Sequence, residues 1–277
     1  MSGRHGSIRD ALYEEPGPKA KRRIAAATAV SVVLLAALLA LIVRQFYVTG
    51  QLGAKYWSFF ARATTWKFLG SGLAGTVKVA LASGTMAFAA GFLMMTGRVY
   101  GGKIVSALST ALIEFSRGVP TLLFIYFFFL AAPQFGLKLP AFWKIAVPVA
   151  ISAAGVVAEV LRSGVNAVPK GQREAAMSLG MRGWQVFLHI VFPQALRYVV
   201  PALISELVIV LKDTTFAYVV NYADLMQNAK VLISNYDAML SVYLVSAVIY
   251  ILINYLLNRV SAAAAGRMGA GAAAAPR

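Results

Sequence analysis

Between residues 24 and 43 the chain runs for twenty positions without one charged side chain. At a rise of about 1.5 Å per residue, a helix of that length crosses the roughly 30 Å hydrocarbon core of a bilayer. Five more apolar runs follow, at 73–95, 104–132, 142–161, 199–220 and 242–257. A soluble domain has no interior large enough for six such helices. The overall balance agrees: 60% of the residues are hydrophobic, 13% are charged, and the mean hydropathy is +0.72. The pattern predicts an all-α integral membrane protein of about six transmembrane helices.

The first run has the basic flank of a secretory signal, Lys19-Ala20-Lys21-Arg22-Arg23. It is long for a signal peptide, however, and no small-residue cleavage site precedes Arg44-Gln45, so it reads as a retained helix. The organisation expected is a polar tail at 1–23, an extra helix at 24–43, an external loop at 44–71, a core at 72–260 holding a cytoplasmic loop at 165–193, and a disordered Ala/Gly-rich cytoplasmic tail at 261–277.

A net charge of +16 raises the question of nucleic acid, but the basic residues are dispersed between spans rather than gathered in a stripe among aromatics. Dispersed charge of this kind orients membrane proteins. With the N-terminus inside, the outer loops hold Arg44, Lys55, Arg62, Lys67, Lys138, Lys144 and Lys230. Lys78, Arg117 and Lys212 lie in spans, and the other sixteen of the 26 Lys and Arg lie inside. Both termini are therefore expected in the cytoplasm. The chain has no cysteine and only two histidines, His5 and His189, which leaves no thiolate or imidazole metal site and predicts no resident cofactor.

The segment 174–193 is the most informative of the inner loops. Pro169 and Gly171 break what precedes it. A short helix is then expected with Glu174 in its first turn, Ala175 and Leu179 on one face, and Gly180 as a left-handed cap. A second short helix is expected over 182–190, with Pro193 opening the next span. Small side chains let a partner approach closely, while Glu174 and Arg173 offer charges to it. By local physics alone, a docking knob and an ordinary interfacial loop are equally good readings.

Glu174-Ala175-Ala176, Gly180, Ile190 and Pro193 resemble the EAA loop of ABC-importer permeases, with Phe192 where that family usually has Leu. The likeness covers most of the chain, from about Gly72 to Arg259. Arg117-Gly-Val-Pro-Thr-Leu-Leu, Ala158-Glu159-Val-Leu-Arg162, Lys170-Gly-Gln and Lys212-Asp213-Thr214-Thr215 resemble stretches of the polar amino-acid subfamily, the glutamate, aspartate, glutamine and histidine type. The resemblance implies a type I ABC-importer permease fold with one added N-terminal helix, in a bacterial inner membrane. It implies as partners an ABC ATPase dimer docking at the loop, a second permease copy or a related permease, and an extracytoplasmic solute-binding protein. A faint likeness near 212–225 points to glutamate or aspartate as cargo.

ATP would then be hydrolysed elsewhere. Gly97 to Lys103 has the spacing of a phosphate-binding loop, but Ile104 stands where magnesium needs Ser or Thr, and no strand precedes it. The chain reads as a transporter subunit without enzymatic activity, with ATP and magnesium on its partner. Ionisable side chains inside spans are costly and are candidates for the substrate pathway: Arg117 beside the break at Gly118–Pro120, Glu159, Lys212 and Asp213, with the hydroxyls of Thr214 and Thr215. Internal salt bridges (Lys212 with Asp213, Glu159 with Arg162) account for these charges equally well. An ion-coupled secondary amino-acid transporter is the competing class, although no inverted repeat of interrupted helices is visible.

Overall fold

The apolar runs fold as helices, and most of the helices outlast the runs. A computed structural model describes residues 17–267, and among these no strand occurs. The chain forms two units divided between Trp57 and Ser58. The first holds α1 (Pro18–Val48), which Pro18 opens from the first turn, where a missing N–H is harmless. None of its residues is buried, as suits a helix whose solvent is lipid.

The second unit carries α2 (Ala63–Tyr100), α3 (Lys103–Gly118), α4 (Thr121–Tyr126), α5 (Ala141–Ala167), α6 (Lys170–Ser178), α7 (Phe192–Asp213), α8 (Leu225–Tyr236) and α9 (Met239–Arg267). Among the described residues, five helical stretches are long and apolar enough to span a membrane. α3 and the stretch Thr121–Phe135 that begins with α4, bent by 96° across Val119 and Pro120, make a sixth when taken together as one broken span. Pro120 cannot donate a backbone bond, and it holds the preceding Val119 extended at φ −97° and ψ 124°. Beyond α4 the backbone loosens into a π turn (Phe127–Ala131) and a 3-10 turn (Ala132–Phe135), which Gly136 closes at φ +82°.

The centre of the unit is α5, with 61% of its spanning window buried against 17% for α9. It lies parallel to α2: Ser83 donates to the Ala146 carbonyl at 3.0 Å, and lower down Gly91 sits against Ala154 and Val157. It runs antiparallel to α7, meeting Ala195 and Val199 at Gly164. Lipid tails give apolar side chains no reason to leave them for one another, so close backbone approach over small residues holds such helices together. The buried seam follows that rule, with Ala80, Ala87, Ala146, Ala153, Ala154, Ala158 and Ala195 between larger Val and Leu side chains.

Several boundaries differ from expectation. The span at 73–95 belongs to a helix of 38 residues that begins at Ala63, so the external loop at 44–71 is largely helical at both ends. The first helix starts at Pro18, inside the expected tail, and residues 1–16 of that tail lie outside the described residues. The last helix continues through Ser261 to Arg267, where a disordered tail was expected; alanine, the best helix former, fills this stretch. Positions 268–277 lie outside the described residues.

Candidate functional site

Two groups of residues stand out, one on the surface at the α6 end of the bundle and one partly buried among α4, α5 and α7. On the surface, Pro169 turns the chain out of α5 and caps α6 with extended backbone. Gly171 sits in the first turn of α6 instead of breaking it, which places Glu174 at mid-helix and not in the dipole-favoured first turn. The other expectation for this helix is met: Gly180 takes φ +81°, its N–H donates to the Met177 carbonyl at 2.9 Å, and Met181 donates to Ala176 at 3.2 Å. This left-handed cap satisfies the last carbonyls of the helix and turns the chain back toward the bundle.

Ala176 is the one buried residue of α6 and faces the core. Glu174, Ala175, Met177 and Leu179 face outward, Leu179 with 85% of its surface exposed, and Trp184 and Leu188 continue the apolar patch. Arg173 is half-exposed and also serves the fold. Its guanidinium donates to the Val165 carbonyl at 3.3 Å and ties α6 to the end of α5. The second helix is not separate. Gly183–Gln185 leads into a π turn (Val186–Val191) and straight on into α7, whose first turn holds Pro193. An aromatic cluster fixes this junction: Phe187 packs 4.5 Å from Tyr100 and 5.6 Å from Phe192, and Phe192 packs 4.9 Å from Phe92 on α2. Ile190 is half-buried beside it. The exposed knob is thus fastened to α2, α5 and α7 at once.

Just above the loop, Glu159 lies between two guanidiniums, paired with Arg98 on α2 and with Arg162 at 2.8 Å. Of the two readings of Glu159, the internal salt bridge is the one this geometry realises. Arg117 pairs with Glu114 at 3.9 Å, and its aliphatic stem lies beside Gly155, near the middle of α5.

The inner polar group, which is partly buried, centres on Asp213. Its carboxylate accepts from the Thr121 hydroxyl at 2.9 Å, and Thr121 in turn shares a hydrogen bond with Ser152 at 2.8 Å. The expected pairing with Lys212 is absent: neighbours on a helix point about 100° apart, and Lys212 faces outward, exposed. The Thr214 and Thr215 hydroxyls donate to the Leu211 and Lys212 carbonyls, both at 2.7 Å, and serve the end of their own helix.

Sequence reasoning missed Glu206. It lies two helical turns before Asp213, hence on the same face of α7, is 7% exposed, and lines a cavity of about 360 Å³ between α2, α5 and α7. Gly84, Phe88, Val157, Leu203 and Val210 form much of the remaining wall, and no basic side chain does among the described residues. A carboxylate in the middle of an apolar span was visible in the sequence and was the signal available. Thr121 and Ser152 were also missed, and nothing local distinguishes them from other hydroxyls.

Comparison with known proteins bears on both groups. Residues 87–269 match the family model described as the binding-protein-dependent transport system inner membrane component. The glutamate transport system permease protein GluD of Corynebacterium glutamicum is 33% identical over 228 residues, which is 81% of this chain and 84% of that protein. The probable glutamine ABC transporter permease protein GlnP of Bacillus subtilis is 34% identical over 194 residues, 69% of this chain and 89% of that one. Among solved structures, an amino acid ABC transporter crystallised with histidines superposes with a TM-score of 0.70 at 28% identity, over 76% of this chain and 98% of that one. The MetNI methionine ABC transporter in an inward-facing conformation shares the fold alone, with a TM-score of 0.56 at 19% identity. This multi-spanning chain belongs to the family of binding-protein-dependent transport system inner membrane components.

Proposed function

We propose that this chain is the permease subunit of an ATP-driven ABC importer for polar amino acids, lying in a bacterial inner membrane with both termini in the cytoplasm. The observation that carries this reading is the α6 knob: an exposed Glu174 and Leu179 on a capped helix, braced against three spans by Arg173, Ala176 and the Phe187 cluster. Such a surface receives force from a partner and passes it inward. The partner in this reading is an ABC ATPase dimer that holds ATP and magnesium, and a solute-binding protein delivers cargo from the other side. A second permease, the same chain or a relative, completes the pathway.

The cargo follows from the inner polar group. Glu206 and Asp213 offer carboxylates on one face of α7 and suit the ammonium group that every amino acid carries. With no basic side chain lining the Glu206 cavity among the described residues, an additional carboxylate on the cargo would go unmatched there. A neutral, glutamine-like or basic amino acid fits better than the glutamate or aspartate suggested by sequence resemblance. Arg117, Glu159, Lys212, Thr214 and Thr215 act in support, through helix pairing and helix ends.

Co-expression with the ATPase subunit and purification through a tag on the permease tests the docking. The wild-type chain is expected to retain the ATPase, and Glu174→Lys or Gly180→Pro to lose it while remaining monodisperse. Retention of the ATPase by both variants would remove the knob from the interface.

A further inference from the structure

The break between α3 and α4 is pinned at a single polar point. Thr121, the first residue after Pro120, reaches Asp213 on α7 at 2.9 Å and Ser152 on α5 at 2.8 Å. On either side of this junction the backbone of the span is irregular, although Ile113 and Ile125 are buried in the core. Val119 is extended, the two halves are bent by 96°, and past Tyr126 the helix opens into π and 3-10 turns. The outward face of α4 is apolar and exposed at Leu123 and Tyr126, as is Phe127 just past it, while Phe124 and Ile125 pack inward.

We propose that Thr121 is a latch: its hydroxyl holds the broken span closed against α7 through Asp213, and an ammonium group arriving at Asp213 releases it. Thr121 is a positioning residue here, since it acts through the carboxylate. A hydrogen bond to a charged acceptor is the strong kind, and its loss changes the ratio of latched to unlatched span by about tenfold or more. A cation that takes over the Asp213 oxygen removes that bond without any other change in the bundle. Ser152 gives the freed hydroxyl an alternative partner, so release leaves no buried orphan. The release step rests on the proposed role of Asp213 toward the cargo; the latch itself does not.

The chain has no cysteine, which makes site-directed spin labelling direct. Labels at Leu123→Cys on α4 and Ser163→Cys on α5 report the position of the broken span in the purified full-length chain. Thr121→Val is expected to shift and broaden the label distance without ligand, and Thr121→Ser to keep the wild-type distribution. L-Glutamine or L-arginine is expected to move the wild-type label toward the valine distribution and leave the valine variant unmoved. Asp213→Asn keeps an acceptor for Thr121 but loses its charge, so it should retain the closed distance and lose the response to ligand. It serves if the valine variant does not fold. A valine variant indistinguishable from wild type overturns the latch, as does a serine variant that moves as valine does. A latch that behaves as described while no amino acid moves the wild-type label overturns the release step and the role of Asp213 in binding cargo.

Discussion

Asp224 shows how a single residue can serve the fold at a cost that depends on pH. It caps α8, with one carboxylate oxygen accepting from the Gln227 N–H at 2.7 Å, but it is fully buried and its other oxygen has no partner among the described residues. Burial pushes its carboxyl from 3.8 up to about 6, against the opposing pull of the backbone N–H groups. The folded protein therefore binds this proton more tightly than the unfolded chain. The resulting stability is complete below about pH 4 and is lost as pH rises through 6, by about 2–3 kcal/mol. Asn caps a helix as well as Asp does. Asp224→Asn is expected to flatten this dependence, measured as the difference in melting temperature between variant and wild type in detergent from pH 4.5 to 7.5. An unchanged slope would place the titration elsewhere. Residues of this kind were hardly legible beforehand. Glu206 was missed although a carboxylate inside an apolar run is a readable signal. Thr121 was not legible, because its partner lies 92 positions along the chain and only the fold brings them together.

At the scale of elements, the centres of the helices were legible and their ends were not. Apolar runs mark where lipid surrounds a helix. They do not mark where hydrogen bonding stops, so α2 begins at Ala63, well before its run, and Arg98 near its far end is absorbed by the bridge to Glu159. The knob was legible at Gly180, where a left-handed turn needs glycine, and illegible at 183–193, where aromatic packing merges a second helix into α7. Helix pairing gives a sharper test. A Cβ on Gly75 would meet the Ala223 carbonyl oxygen at 2.2 Å, a backbone atom that cannot swing aside, whereas one on Gly70 would meet nothing within 4 Å. Gly75→Ala is expected to force the segment before α8 away from α2, with a loss of about 1–3 kcal/mol. Gly70→Ala should be neutral or slightly stabilising, since alanine favours the helix. Thermal unfolding of the two variants side by side checks this, and equal melting temperatures would contradict the close packing of α2 on that segment.

For the whole molecule, the membrane class was legible from six apolar runs and the family from the spacing of Glu174, Gly180 and Pro193, because both depend on local pattern. The arrangement of helices around α5 was not, since packing in lipid turns on which small residues face each other, and a single sequence does not say. The same arrangement explains why a surface knob can matter to a buried path: α7 begins at the Phe192 cluster beneath the knob and ends at Asp213. The central claim is that a partner's ATP drives transport through this chain by way of the knob. Its most direct test is uptake of labelled glutamine into proteoliposomes that hold this chain with its ATPase and solute-binding protein. Uptake is predicted to require ATP and to be lost on Glu174→Lys. Uptake by this chain alone, driven by an ion gradient without ATP, would contradict it.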